Sequence, residues 1–141
     1  MATIVEVHPK LVVTDGAGAI EYYRSCLGAR EQTRFTMPDG KIVHAALTIG
    51  GATVSVKDEG DGDLAPTSTG GTPVIMELTV DDADAVAEAM VAAGGRIVFP
   101  IADQPYGQRS GRVADPYGHL WIISHPLEEL TPAEIQRRLA G

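Results

Sequence analysis

Residues 12–30 read VVTDGAGAIEYYRSCLGAR and residues 79–96 read TVDDADAVAEAMVAAGGR. Both stretches end a β-branched run, place an Asp, continue as a small-residue helix and stop at glycine. Shifting the chain by 67 places puts Val13 on Val80, Asp15 on Asp82, Glu21 on Glu88 and Gly28 on Gly95, and carries Gly51 onto Gly118. A shift that holds at two distant places predicts a duplicated module. Asp15 and Asp82 are N-cap candidates, because a carboxylate there accepts the free amide hydrogens of a helix start. Ile20, Tyr23 and Leu27 share one helix face; Val86, Met90 and Ala93 share the other. Gly28 and Gly94-Gly95 are the expected helix stops.

Working outward, MPDGK (37–41) reads as a hairpin turn between TRFT and IVHAALTIG. Gly50-Gly51 turns into ATVSVKD, and Gly118 opens HLWIISH. KDEGDGDLAPTSTGGTP (57–73) is rich in turn formers and reads as a flexible acidic linker. DEGDGD (58–63) lacks the spacing and the closing glutamate of an EF-hand calcium loop. DQPYGQRSGR (103–112) reads as a long loop between the last strands. Thr131-Pro132-Ala133-Glu134 matches a capping box and predicts a tail helix over 132–139. The organisation is strand, helix, then two or three strands, twice: modules 1–58 and 73–126, a linker 59–72 and a tail 127–141. That makes one α+β domain of two tandem βαβββ modules. Their curved mixed sheets are expected to face each other around a cup, with helices outside.

Composition narrows the function. The 141-residue chain carries a net charge of −8 with eleven scattered Lys and Arg, unlike the clustered basic surfaces that bind nucleic acid or anionic membranes. It has no 18-residue apolar run, and MATIVEVHPK lacks the layout of a signal peptide. One cysteine, Cys26, makes no internal disulfide and fits a cytoplasmic protein, with Cys26 as a small core residue.

Several stretches, AIEYYRSCLGA, MPDGKIVHAAL, DQPYGQRSGRVADPYGHLW and LTPAEIQRR, resemble the vicinal oxygen chelate superfamily. This is the glyoxalase, bleomycin resistance protein and dioxygenase group, and the PhnB-like branch is the most similar. The likeness runs from about residue 4 to 139. Metal-using members take ligands from the first and last strands of each module. By that resemblance His8 matches a ligand histidine and Ser55 stands where a carboxylate is supplied. Ile75 stands in place of a histidine and Ile122 in place of a glutamate. Ser ligates divalent ions poorly and Ile not at all, whereas a catalytic site needs about three protein ligands.

The resemblance and the residues together imply a small-molecule binding or drug-sequestering protein without a metal, as in the antibiotic resistance members, and a homodimer. The acidic charge favours a cationic ligand. The expected ligand-binding residues are His8, Lys10, Ser55, Glu77, Tyr106, Arg109 and Ile122. Glu77 is either paired with Lys10, its mate under the shift, or part of a metal set. The alternative is an enzyme in which His8, His44 and Glu77 hold zinc, iron, nickel or manganese for a lyase, isomerase or dioxygenase reaction. On the last strand Leu120, Ile122 and Ser124 are expected to face the cup, with Trp121 under a helix. The opposite register would make Trp121 a stacking platform. His119 would change face with it, and His125 reads as a surface residue.

Overall fold

The helix caps of the repeat form at equivalent atoms. In the computed structural model, which describes residues 2–141, Asp15 accepts a hydrogen bond from the Gly18 amide at 3.0 Å and Asp82 accepts one from the Ala85 amide at 3.1 Å. They start α1 (Gly16–Leu27) and α3 (Ala83–Ala92). The chain divides into two units, 1–71 and 72–141.

The first unit orders its strands β1-β4-β3-β2, with β1 (Lys10–Val13) parallel to β4 (Ala52–Asp58). β3 (Ile42–Ile49) runs antiparallel to both β4 and β2 (Arg30–Thr36). Leu11, Val13, Ala45, Leu47, Val54 and Val56 are buried with Ala19, Ile20 and Tyr23 of α1. That alternation is what one helix-covered sheet face requires. Gly28 closes α1 with φ +65°, a conformation that glycine adopts at no steric cost.

The second unit repeats the order as β5-β8-β7-β6, built from β5 (Ile75–Thr79), β6 (Arg96–Asp103), β7 (Gln108–Ala114) and β8 (Leu120–Pro126). The shift survives in the strand register: Lys10 lies opposite Ser55, and Glu77 lies opposite Ile122. It survives in the way each helix is tied down. The Gly16 amide donates to Asp58 Oδ1 at 2.6 Å, and the Ala83 amide donates to His125 Nδ1 at 2.8 Å. His125 is therefore not the surface residue the sequence suggests. It accepts at a helix start, in the place that Asp58 occupies in the first unit.

Three further expectations change. α3 buries Ala83, Ala87 and Met90, not the Val86–Met90–Ala93 stripe. Residues 103–112 are not a long loop: a short turn at 104–107 joins β6 to β7, so Arg109 and Arg112 stand on a strand. The stretch 59–72 holds α2 (Pro66–Thr69), and it is pinned by Lys57 Nζ on Asp63 Oδ2 at 2.5 Å and by the Ala65 amide on Glu59 at 2.8 Å. Hydrogen bonds from Ser68 and from the Ala65 amide hold the Glu59 carboxyl below its ordinary range. The tail helix α4 (Pro132–Ala140) starts as expected, with Thr131 accepting from the Glu134 amide at 3.1 Å. No helix among the described residues is long and apolar enough to cross a membrane.

Candidate functional site

In the first unit, alternation sends Leu11 and Val56 toward α1 and leaves Lys10, Ser55 and His44 on the opposite face. Lys10 Nζ lies 3.0 Å from His44 Nδ1. An ammonium only donates, so Nδ1 accepts and neutral His44 carries its proton on Nε2. Phe35, opposite His44 across β2–β3, stacks on the imidazole with ring centroids 6.1 Å apart and planes 18° from parallel. Burial, then the Lys10 charge, then that of His8, lower the His44 pKa from its ordinary value.

Ser55, opposite Lys10, is fully buried, and its Oγ has no hydrogen-bond partner among the described residues. An unsatisfied buried hydroxyl costs about 1–3 kcal/mol. The backbone of Ser55 is satisfied, its amide donating to the Pro9 carbonyl at 2.9 Å. His8 precedes β1 and does not open it; its Nδ1 lies 3.1 Å from Glu6 Oε1. Lys10, His44 and Ser55 are thus gathered on one face, with His8 beside them.

In the second unit Glu77, Ile122, Arg112 and Phe99 form one row across β5, β8, β7 and β6. Glu77 is exposed and Ile122 half-buried. Arg112 sits over the Phe99 ring at 5.3 Å from its centroid, and its Nε is buried with no partner. Trp121 and Ile123 are buried, whereas Leu120, Ile122 and Ser124 are half-buried; this is the arrangement expected of a tryptophan under a helix. The Trp121 indole donates to Asp115 Oδ2 at 2.9 Å, and His119 is buried in the same turn.

Arg109, an expected ligand contact, is engaged within its unit. Its Nε and Nη2 donate to Asp84 at 2.7 and 3.0 Å, and Nη1 donates to Asp103 at 2.9 Å. The guanidinium pulls the Asp84 carboxyl below its ordinary range, and the two carboxylates raise the Arg109 pKa. Arg109 fastens the first turn of α3 to β7 and β6. Tyr106 is half-buried in the β6–β7 turn. Cys26 is half-buried, and burial pushes its thiol up, away from a reactive thiolate.

The family model described as Glyoxalase/Bleomycin resistance protein/Dioxygenase superfamily matches residues 6–123. The chain belongs to that superfamily. An uncharacterized protein of Mycobacterium tuberculosis, Rv0887c, is 44% identical over 148 residues, covering 100% of this chain and 87% of that protein. The crystal structure of TioX from Micromonospora sp. ML1 is 31% identical, with a TM-score of 0.65 over 89% of this chain and 99% of TioX. A Bacillus cereus PhnB protein shares the fold at 19% identity, with a TM-score of 0.68 over 85% of this chain and 98% of that one.

By the family resemblance, the four ligand positions would fall on His8, Ser55, Ile75 and Ile122, a donor set poor in metal-binding groups. The structure sets Lys10 opposite Ser55 in the β1–β4 pair. Phe35 and Phe99 were not legible as site residues, and Arg112 was visible only as one of the arginines of the stretch 103–112. The signal available for Phe35 was one aromatic in the otherwise polar strand REQTRFT.

Proposed function

We propose that this superfamily member is a small-molecule binding protein that works without a catalytic metal. The single observation carrying the reading is the fully buried, unpartnered Ser55 hydroxyl. By the family resemblance it falls where metal-using members supply a carboxylate, and Lys10 lies opposite it. A buried hydroxyl beside an ammonium offers hydrogen-bond donors to an organic ligand and gives a metal ion little to hold. Phe35 (57% exposed) supplies apolar contact area. The protein would sequester its ligand, as a homodimer. Binding is tested by titrating a panel of planar antibiotics into the protein by calorimetry. Saturable binding that weakens in Ser55→Val and Lys10→Met supports the reading; a panel that never binds, alongside turnover of a glyoxalase or dioxygenase substrate, contradicts it.

The enzyme reading rests on His8, His44 and Glu77 with zinc, iron, nickel or manganese. Lys10 weighs against it, because its ammonium occupies the His44 Nδ1 lone pair and repels a second cation. Glu77→Gln separates the two readings: an enzyme loses metal and turnover together, whereas a binder changes affinity alone.

A further inference from the structure

The binding reading leaves the ligand's charge open, and the acidic sequence favours a cation. The geometry points to the reverse: we infer that the helix-distal face of the first unit takes an aromatic anion, its ring on Phe35 and its carboxylate or phenolate on Lys10, His44 and Ser55. The inference rests on the binding function proposed above and deepens it.

Lys10, His44 and Ser55 can each donate a hydrogen bond. Among the described residues Lys10 makes no ion pair within 4.0 Å inside its own unit, whose pairs join His8 to Glu6, Arg24 to Glu21, Arg34 to Glu31 and Lys57 to Asp63. Its hydrogen bond goes to an imidazole; its charge also acts through space on Asp63, a carboxylate already bonded to Lys57, so among the described residues no carboxylate neutralises it by contact. That bond also turns the His44 proton onto Nε2, a second donor. The Ser55 hydroxyl supplies a third and gains the partner it lacks. Two carboxylates of this unit are engaged by other side chains: Asp63, which also senses Lys10, by Lys57, and Glu6 by His8. A local cluster of this kind outweighs a net charge of −8 spread over the chain, since charges farther away than about 8 Å are largely screened at physiological salt.

Stacking makes the ligand planar. The His44 imidazole and the Phe35 ring lie 18° from coplanar stacking, and Phe35 remains more than half exposed. The second unit repeats the pairing independently: Phe99 lies opposite Arg112, whose Nε is buried without a partner. Glu77 shares that row, so the first unit is the cleaner anion site.

The test uses three probes of one shape, 2-naphthoate, 2-naphthamide and 2-naphthylmethylammonium, titrated into the full chain at pH 7 by calorimetry and by amide NMR. Expected are binding of the naphthoate at least about tenfold tighter than the amide, with the ammonium probe weakest, and shift changes centred on Lys10, Phe35, His44 and Ser55. Lys10→Met, which keeps the aliphatic stem, should bring the naphthoate-to-naphthamide ratio close to one. Ser55→Ala should weaken the naphthoate several-fold in a protein with unchanged amide dispersion. Equal affinities, a preference for the ammonium probe, or a naphthoate preference that survives Lys10→Met would overturn the anion inference and leave the binding function standing. If none of the three probes binds, both fall.

Discussion

Asp115, in the turn that opens DPYGHLWIISH, offers the sharpest stability prediction. Its Oδ1 accepts from the Tyr117 amide at 2.9 Å and from the His119 amide at 3.0 Å, and its Oδ2 accepts from the Trp121 indole at 2.9 Å. The His119 and Trp121 donors are buried, with Trp121 only 1% exposed. Asp115→Ala orphans both, at about 1–3 kcal/mol each, and a loss of about 4 kcal/mol is expected. Asp115→Asn keeps one carbonyl for the two amides and turns its NH2 toward the indole N–H, so the expected loss is about 2 kcal/mol. Trp121 is the only tryptophan, so its fluorescence in a urea titration reports this unit directly. The Asp115→Asn and Trp121→Phe cycle, followed by far-UV circular dichroism, should show coupling of about 1–2 kcal/mol. Asp115→Asn within about 0.5 kcal/mol of the parent, or a cycle that is simply additive, refutes the assignment.

Other consequences follow from the same geometry. A Cβ on Gly111 would meet the Phe99 carbonyl oxygen at 2.7 Å and the Ile101 amide nitrogen at 2.8 Å, so Gly111→Ala should cost about 3 kcal/mol in chemical denaturation. Lys10→Met removes a cation from His44, and the His44 pKa measured by imidazole NMR should rise toward 6.5; no change would show that Lys10 does not sense that ring. The Asp84 pKa is lowered in the folded state by Arg109, so this stabilisation is present above the unfolded carboxylate pKa and fades as pH falls through the folded value. In Arg109→Met the acid side of the stability profile should flatten; an unchanged profile contradicts the clamp. The proposed homodimer is checked by light scattering on the size-excluded protein, with a dimer mass expected and a monomer mass refuting it.

The duplicated architecture was legible because backbone needs are local. Asp15 and Asp82 had to cap, and Gly28 had to reverse the chain, whatever packed nearby. The phase of α3 was not legible: ADAVAEAMVA is apolar nearly all round, so hydropathy does not say that Ala87 and not Val86 turns inward. The first half of β7 was read as loop because QRSGRVA has little strand propensity, and its pairing comes from β6 and β8. The candidate site was legible in part. Ser55 was singled out by the family resemblance and Lys10 by the internal shift, and the two lie opposite each other in the β1–β4 register. The Lys10–His44 bond, the Phe35 stack and the acceptor role of His125 depend on contacts more than thirty residues apart or on side-chain direction, which no spacing encodes.

The most direct test of metal-free ligand binding is elemental analysis. The protein, purified without a histidine tag or chelator, is incubated with zinc, iron, nickel or manganese, dialysed, and measured by inductively coupled plasma mass spectrometry. The account predicts a metal content near zero in every case. About one equivalent per chain, lost in His8→Ala or Glu77→Gln, would contradict it and establish a metal site in which those side chains take part.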